Sequence, residues 1–159
     1  LRTTIEAAKA LAELHGLNIW HVDLNPMNIL CRWESGKPVL RIVDFESSYE
    51  VARHSRGVFY NPPTTSGYSA PELSRQAPDA RSDLFSLGAG LYTMLAGHEW
   101  AWATDVGRCV DADPEVAPEL KEILRTAVDV DPDRRFPSIV EMRVALTAYL
   151  ERIWSARLW

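Results

Sequence analysis

Cysteine is scarce in this sequence. The chain has 159 residues and two cysteines, Cys31 and Cys109, too few for a disulfide framework. Cys31 ends an apolar run, where a buried free thiol is the expected state. Positive charge is also short. The 17 Lys and Arg stand against 22 Asp and Glu, for a net charge of −5, which excludes the basic footprint of a nucleic-acid binder and any electrostatic draw to anionic lipid. The most apolar stretch, Leu84 to Gly97, is interrupted by Ser86 and Thr93 and is too short to span a bilayer. A helix buried on all sides is the expectation there. The opening residues lack an apolar core followed by a cleavage-type site, and no internal repeat or low-complexity tract occurs. These absences point to a reducing, cytoplasmic setting without nucleic-acid or membrane partners.

What is present is ordinary in bulk and informative in detail. Hydrophobic residues make up 47% and charged residues 25%, as in a single soluble globular domain with a real core. Thr3-Thr4-Ile5-Glu6 has the form of a capping box with Thr3 as N-cap. Ile5, Ala8, Leu11, Ala12 and His15 follow at helical spacing, and Gly16 stands where a left-handed cap would stop the helix. The spacing therefore predicts a helix from about Thr4 to His15. A brief strand is expected over Ile19 to His21. Two longer ones, Asn28 to Arg32 and Val39 to Val43, flank the turn Glu34-Ser35-Gly36-Lys37-Pro38. Gly97 to Pro118 offers few signals, and its Trp100 and Trp102 are expected to fill core space. Glu119 to Val130 carries a helical stripe of Leu120, Ile123, Leu124, Ala127 and Val128. Ser138 is placed to cap a last helix whose inward face is Ile139, Met142, Leu146, Tyr149 and Leu150. The fold class is mainly α with a small β-hairpin (α+β).

The chemistry gathers around that hairpin. His21-Val22-Asp23-Leu24-Asn25-Pro26-Met27-Asn28 puts an Asp and an Asn on a tight loop running into an apolar strand, and Ile42-Val43-Asp44-Phe45-Glu46 ends the next strand with an Asp. Asp23, Asn28 and Asp44 are expected to meet where the hairpin closes on the loop. Three oxygen-bearing side chains suit a hard cation such as Mg²⁺, usually held by one or two carboxylates plus substrate phosphates.

The first stretch resembles the H-R-D-L-x-x-x-N catalytic loop of protein kinases, and the second resembles their D-F-G metal-binding motif. Gly67-Tyr68-Ser69-Ala70-Pro71-Glu72 looks like the A-P-E motif that closes the kinase activation segment. Arg81-Ser82-Asp83-Leu84-Phe85-Ser86-Leu87-Gly88 looks like the D-x-W-S-x-G opening of the central helix. Asp131-Pro132-Asp133-Arg134-Arg135-Phe136-Pro137-Ser138 looks like the D-P-x-x-R loop, in a form common among bacterial Ser/Thr kinases.

The resemblance implies a C-terminal kinase lobe over residues 1–159. It divides into a helix before the catalytic loop (1–17), the loop and metal-binding hairpin (18–45), the activation segment (46–72) and a helical subdomain (73–159). It also implies roles. Asp23 is the catalytic base toward a Ser/Thr hydroxyl of a protein substrate, and Asn25 stands where a phosphate-steadying Lys is usual. Asn28 and Asp44 hold Mg²⁺ and thereby ATP. His21 and Phe45 are structural members of their motifs, Asp83 braces the catalytic loop backbone, and Glu72 pairs with Arg135. Thr65 and Tyr68 lie near the substrate. At a buried helix start, Asp83 also has a use as acceptor of orphan backbone N–H groups.

Three positions depart from the pattern. Val22 replaces the Arg that reads a phosphorylated segment, Asn25 brings no charge to the transferred phosphate, and Glu46 replaces the Gly of D-F-G. The last two also resemble the loops of aminoglycoside and choline phosphotransferases, small-molecule kinases that lack the A-P-E and D-P-x-x-R motifs readable here. The Gly-rich loop, strand Lys and helix Glu of a kinase N-terminal lobe fall outside this sequence. A separate N-lobe or partner covering the exposed face is therefore expected, and the isolated chain is expected to bind ATP poorly and transfer phosphate weakly. A pseudokinase or binding module is the alternative.

Overall fold

A computed structural model describes residues 1–54, 67–97 and 105–156; Thr65, Trp100 and Trp102 lie outside them, so the roles expected of those three concern residues that are not described. Helix α1 spans Arg2–Gly16, starting two residues earlier than the capping box suggested. The N-cap is Leu1, without a side-chain bond, and Ile5 N donates to Leu1 O at 2.9 Å. Thr3 is thus already helical and its hydroxyl caps nothing. At the other end, Leu17 and Asn18 N–H groups close on the Leu14 and His15 carbonyls, and the left-handed φ of 57° falls on Asn18 rather than Gly16. Asn tolerates that conformation because its short polar side chain bonds locally.

Helix α3, Ala80–Ala96, is the axis of the molecule. Every residue from Ser82 to Tyr92 is buried, and α1, α5 and α6 all pack on it. Burial on all sides ends there, since Met94 and Leu95 are exposed. Gly88 lets α5 approach: a Cβ at that position would sit 2.8 Å from Ala127 Cβ and 3.0 Å from Val128 Cγ1. Helix α5, Pro118–Ala127, buries Leu120, Leu124 and Ala127. Helix α6, Ile139–Ser155, starts at Ser138, whose side chain accepts from Val140 N, and buries Ile139, Met142 and Leu146. Tyr149 and Leu150 are only half-buried. The short helix α4, Val106–Ala112, was not legible in the sequence; Asp105 caps it, and Val106 and Val110 anchor it to the core.

The β structure is peripheral. Strands β1 (Ile19–Trp20) and β4 (Tyr49–Glu50) pair antiparallel, and helix α2 (Val51–His54) follows. Between them, β2 (Ile29–Glu34) and β3 (Lys37–Ile42) form a hairpin whose register runs from Ile29 opposite Ile42 to Glu34 opposite Lys37. The β1–β4 pair therefore closes the ends of a segment that holds both the loop and the hairpin. Among the described residues the architecture is mainly α with two small antiparallel sheets, as the sequence led one to expect. One expectation fails at the hairpin. Cys31 is exposed, not buried. With only two strands, β3 leans on α1 while β2 is exposed from Leu30 to Glu34, so an apolar run there is not a core run.

Candidate functional site

The loop from His21 to Asn28 is held by one buried carboxylate. Asp83 Oδ1 accepts from Val22 N at 2.7 Å, and Oδ2 accepts from His21 N at 2.9 Å and lies 2.8 Å from His15 Nε2. The bond to Val22 matters because this residue has a φ of 68°, a costly conformation for a β-branched side chain. Such a conformation persists only where its surroundings over-determine it. Here a fully buried carboxylate grips the N–H and the side chain is fully buried as well. Asp83 does not serve its own helix start. That task falls to Asp79, which accepts from Arg81 N as the N-cap of α3, leaving Asp83 free to face the loop. Arg81, hydrogen-bonded first to Asp79 and then to Asp133, is held above its ordinary guanidinium range.

Inside the loop, two amides converge on one carbonyl. Asn28 Nδ2 donates to Asp23 O at 3.0 Å, and Asn25 Nδ2 donates to the same oxygen at 3.1 Å. Asn25 Oδ1 accepts from Met27 N, capping the 3₁₀ turn Pro26–Asn28. Buried and engaged at both ends of its amide, Asn25 holds the shape of the loop. Asp23 itself is half-buried.

The hairpin returns to this loop through Val43. Its N–H donates to Asn28 O at 3.0 Å, and its carbonyl lies 3.0 Å from His21 Nε2. A carbonyl only accepts, so that nitrogen carries the hydrogen. Val43 is thereby clamped on both sides, immediately before Asp44, which is exposed and has a φ of 64°. Phe45 follows and sets its ring edge-on to His21, with centroids 5.0 Å apart. Asp23, Asn28 and Asp44 are thus linked by a short chain of bonds through Asn28 and Val43.

The segment that re-enters at Gly67 is tied to the helical base at two points. Ser86 Oγ donates to Tyr68 O, and the Tyr68 hydroxyl reaches Thr93 Oγ1 at 3.3 Å. Glu72, in the 3₁₀ turn Pro71–Ser74, is gripped by Arg135: Nη1 donates to Oε1 at 2.8 Å and Nη2 to Oε2 at 2.7 Å. Both residues are buried. The rest of the guanidinium is satisfied by the Arg81 and Asp129 carbonyls and lies 5.0 Å from the centre of the Phe85 ring. Ser82 Oγ adds a further bond to Glu72.

Sequence reasoning gave three participants no role. His15 entered only as the end of a helix, Ser82 only as a member of the Arg81–Gly88 motif, and Val43 acts through backbone groups that no side-chain pattern reveals. The spacing of His15 from His21 was visible, but its meaning depends on Asp83, which lies 68 positions from His15.

Comparison with known proteins gives a consistent result. Residues 2–144 match the family described as protein kinase domain. The serine/threonine-protein kinase PknG of Mycolicibacterium smegmatis is 32% identical over 155 residues, covering 94% of this chain and 19% of that protein. Human ribosomal protein S6 kinase alpha-3 is 32% identical over 157 residues, covering 85% of this chain and 20% of its own length. Human ribosomal protein S6 kinase alpha-2 is 45% identical over 91 residues, which are 56% of this chain and 12% of that kinase. The chain thus spans a fifth or less of the length of these relatives.

Proposed function

This chain belongs to the protein kinase family, and we propose that it supplies the catalytic and metal-binding half of a Ser/Thr phosphotransferase site. In this reading Asp23 orients a substrate hydroxyl and accepts its proton, while Asn28 and Asp44 are ligands of Mg²⁺ on the ATP phosphates. The observation that carries it is the bonded path from the Asp23 carbonyl through the Asn28 side chain, and from the Asn28 carbonyl to Val43 beside Asp44.

The donor chemistry supports the metal. Asp44 offers a carboxylate, and Asn28, whose amide nitrogen is engaged by Asp23 O, keeps its Oδ1 as a hard oxygen donor. Among the described residues no group of three or more His, Cys, Asp or Glu is placed to hold a metal ion, so phosphate oxygens and water complete the shell, the usual arrangement for Mg²⁺. When bound, the ion neutralises charge on the transferring phosphoryl group. The chain's own share is positioning. Asp83 fixes the loop backbone, Asn25 and Asn28 fix the peptide that carries Asp23, and the Val43 clamp fixes Asp44 beside them. Positioning of this kind supplies much of the barrier reduction where little covalent chemistry is asked of the protein. The Glu72–Arg135 pair holds the end of the substrate-side segment, and Tyr68 is tied to Ser86 and Thr93 of the helical base in the same segment. A nucleotide-binding lobe carrying the phosphate-covering loop and Lys, in a longer product or another chain, completes the site.

The test is transfer of labelled γ-phosphate to a Ser/Thr peptide by the chain joined to such a lobe. Asp23→Asn is expected to lower the rate by about 10²–10⁴-fold with nucleotide affinity unchanged, and Asp44→Asn to abolish the Mg²⁺ dependence of nucleotide binding. Full activity in Asp23→Asn would overturn the assignment. Mg²⁺-dependent binding without transfer would favour the binding-module reading, and transfer to an amino-alcohol but no peptide would favour the small-molecule kinases.

A further inference from the structure

Helix α6 presents an outer face whose apolar side chains remain substantially exposed, although the Arg2 guanidinium lies over the Trp154 ring. Its inward side is accounted for by Ile139, Met142 and Leu146. On the opposite side Val140 is 43%, Val144 60% and Trp154 51% exposed. Together with Thr147 and Glu151 they form the series 140, 144, 147, 151, 154, with steps alternating between four and three. That is one stripe along the helix, apolar at 140, 144 and 154, with the step pattern a helix–helix seam uses. Beside it, α1 and α6 enclose a groove of about 400 Å³.

The charges along the groove are ordered. Arg2, at the start of α1, lies 4.5 Å over the Trp154 ring near the end of α6, so the two helices run antiparallel. Glu6 therefore lies toward Glu151, and Lys9 toward Arg143, giving the groove an acidic end and a basic end. None of these four side chains takes part in an ion pair among the described residues.

We propose that this face is a homodimer interface in which α6 pairs with α6 of a second copy, antiparallel about a two-fold axis beside Thr147. Val140 and Trp154 lie equally far along the helix on either side of Thr147, as do Arg143 and Glu151. The axis accordingly sets Val140 against Trp154 of the second copy and Arg143 against Glu151 of the second copy, each contact occurring twice. Lys9 and Glu6 reinforce the same polarity from the flank. An unrelated partner would have to reproduce the apolar seam and both charged ends in reversed order. A second copy does so by symmetry, as isologous interfaces do. The pairing is independent of the phosphotransfer reading, because the face uses none of the loop or hairpin residues.

Sedimentation equilibrium of the chain tests it. A reversible dimer is expected. Val144→Asp, Arg143→Glu and Glu151→Arg should each raise the dissociation constant at least about tenfold, the scale of a single well-placed interface contact. The double variant Arg143→Glu with Glu151→Arg should recover most of the affinity lost in either single variant, because the exchanged charges meet again across the axis while Lys9 and Glu6 keep their original polarity. Recovery in the double variant also rules out misfolding as the cause of the single losses. A monomer throughout the concentration series, a dimer indifferent to Val144→Asp, or a double variant as weak as the singles would overturn the proposal.

Discussion

The helical base and the β2–β3 hairpin carry the two halves of the candidate site, yet they are held in place by different forces. In the base, side chains from α1, α3, α5 and α6 form one apolar core, with the buried Leu11, Leu84, Leu124 and Leu146 among its largest members. In the hairpin, Leu30 and Trp33 are more than half exposed, and position is set by backbone bonds: the ladder between β2 and β3, and the Val43 clamp on His21 and Asn28. Asp83 stands at the junction. It is buried like a core residue, but its bonds go to the loop. The comparison teaches that stability and site geometry are separable here. The base supplies the first, and a few polar contacts at its edge supply the second.

The comparison is broken most forcefully at the buried ion pair. Arg135→Met is expected to cost about 3–5 kcal/mol, because Glu72 is left buried without its cation. Urea denaturation measures it, and a variant replacing both partners with apolar residues should lose much less than two single losses added together. Leu124→Ala follows, at about 2–5 kcal/mol for a fully buried leucine. Under the same conditions Leu30→Ala in the hairpin should move the urea midpoint within the scatter of a surface change, about 0.5 kcal/mol. Equal losses at the two leucines would erase the distinction.

Alkaline pH sharpens the contrast from another side. Burial first, and then the Asp113 carboxylate, pushes the Tyr92 phenol up to about 12. The folded state keeps this proton at pH values where the unfolded chain has begun to release it. The stabilisation is therefore complete below pH about 10 and is lost as pH rises toward about 12. Tyr92→Phe should flatten that part of the stability–pH curve, followed by urea midpoints at a series of alkaline pH values. The smallest expected effect belongs to Cys31. As an exposed hairpin thiol, it should react with iodoacetamide faster than the half-buried Cys109, with no change in thermal midpoint, as peptide mass spectrometry and a melting curve would report.

Much of the fold was legible because it follows local spacing. The stripes of Leu120, Ile123 and Leu124 on α5 and of Ile139, Met142 and Leu146 on α6 gave helices in the expected places, and Ser138 caps where a serine before an apolar run should. The hairpin was readable from its turn, where Ser35 and Gly36 take positive φ. Failures cluster where local signals compete with contacts. Thr3 and Glu6 spell a capping box, but the first turn closes on the Leu1 carbonyl. Cys31 ends an apolar run, but among the described residues no second layer covers that strand. Asp83 lies in the first turn of its helix as expected, but Asp79 is the N-cap, and the N–H groups Asp83 accepts from belong to the loop.

The sequence alone determined where helices and strands form and which oxygen-bearing residues were available to the site, since both are properties of neighbouring residues and their side-chain chemistry. Tertiary structure decided which groups meet. Asp83 reaches Val22 across 61 positions and Arg135 reaches Glu72 across 63. The physical reason is that a buried charge must find partners to offset its desolvation. Those partners come from whichever distant segment the packing of α1, α3 and α5 brings alongside.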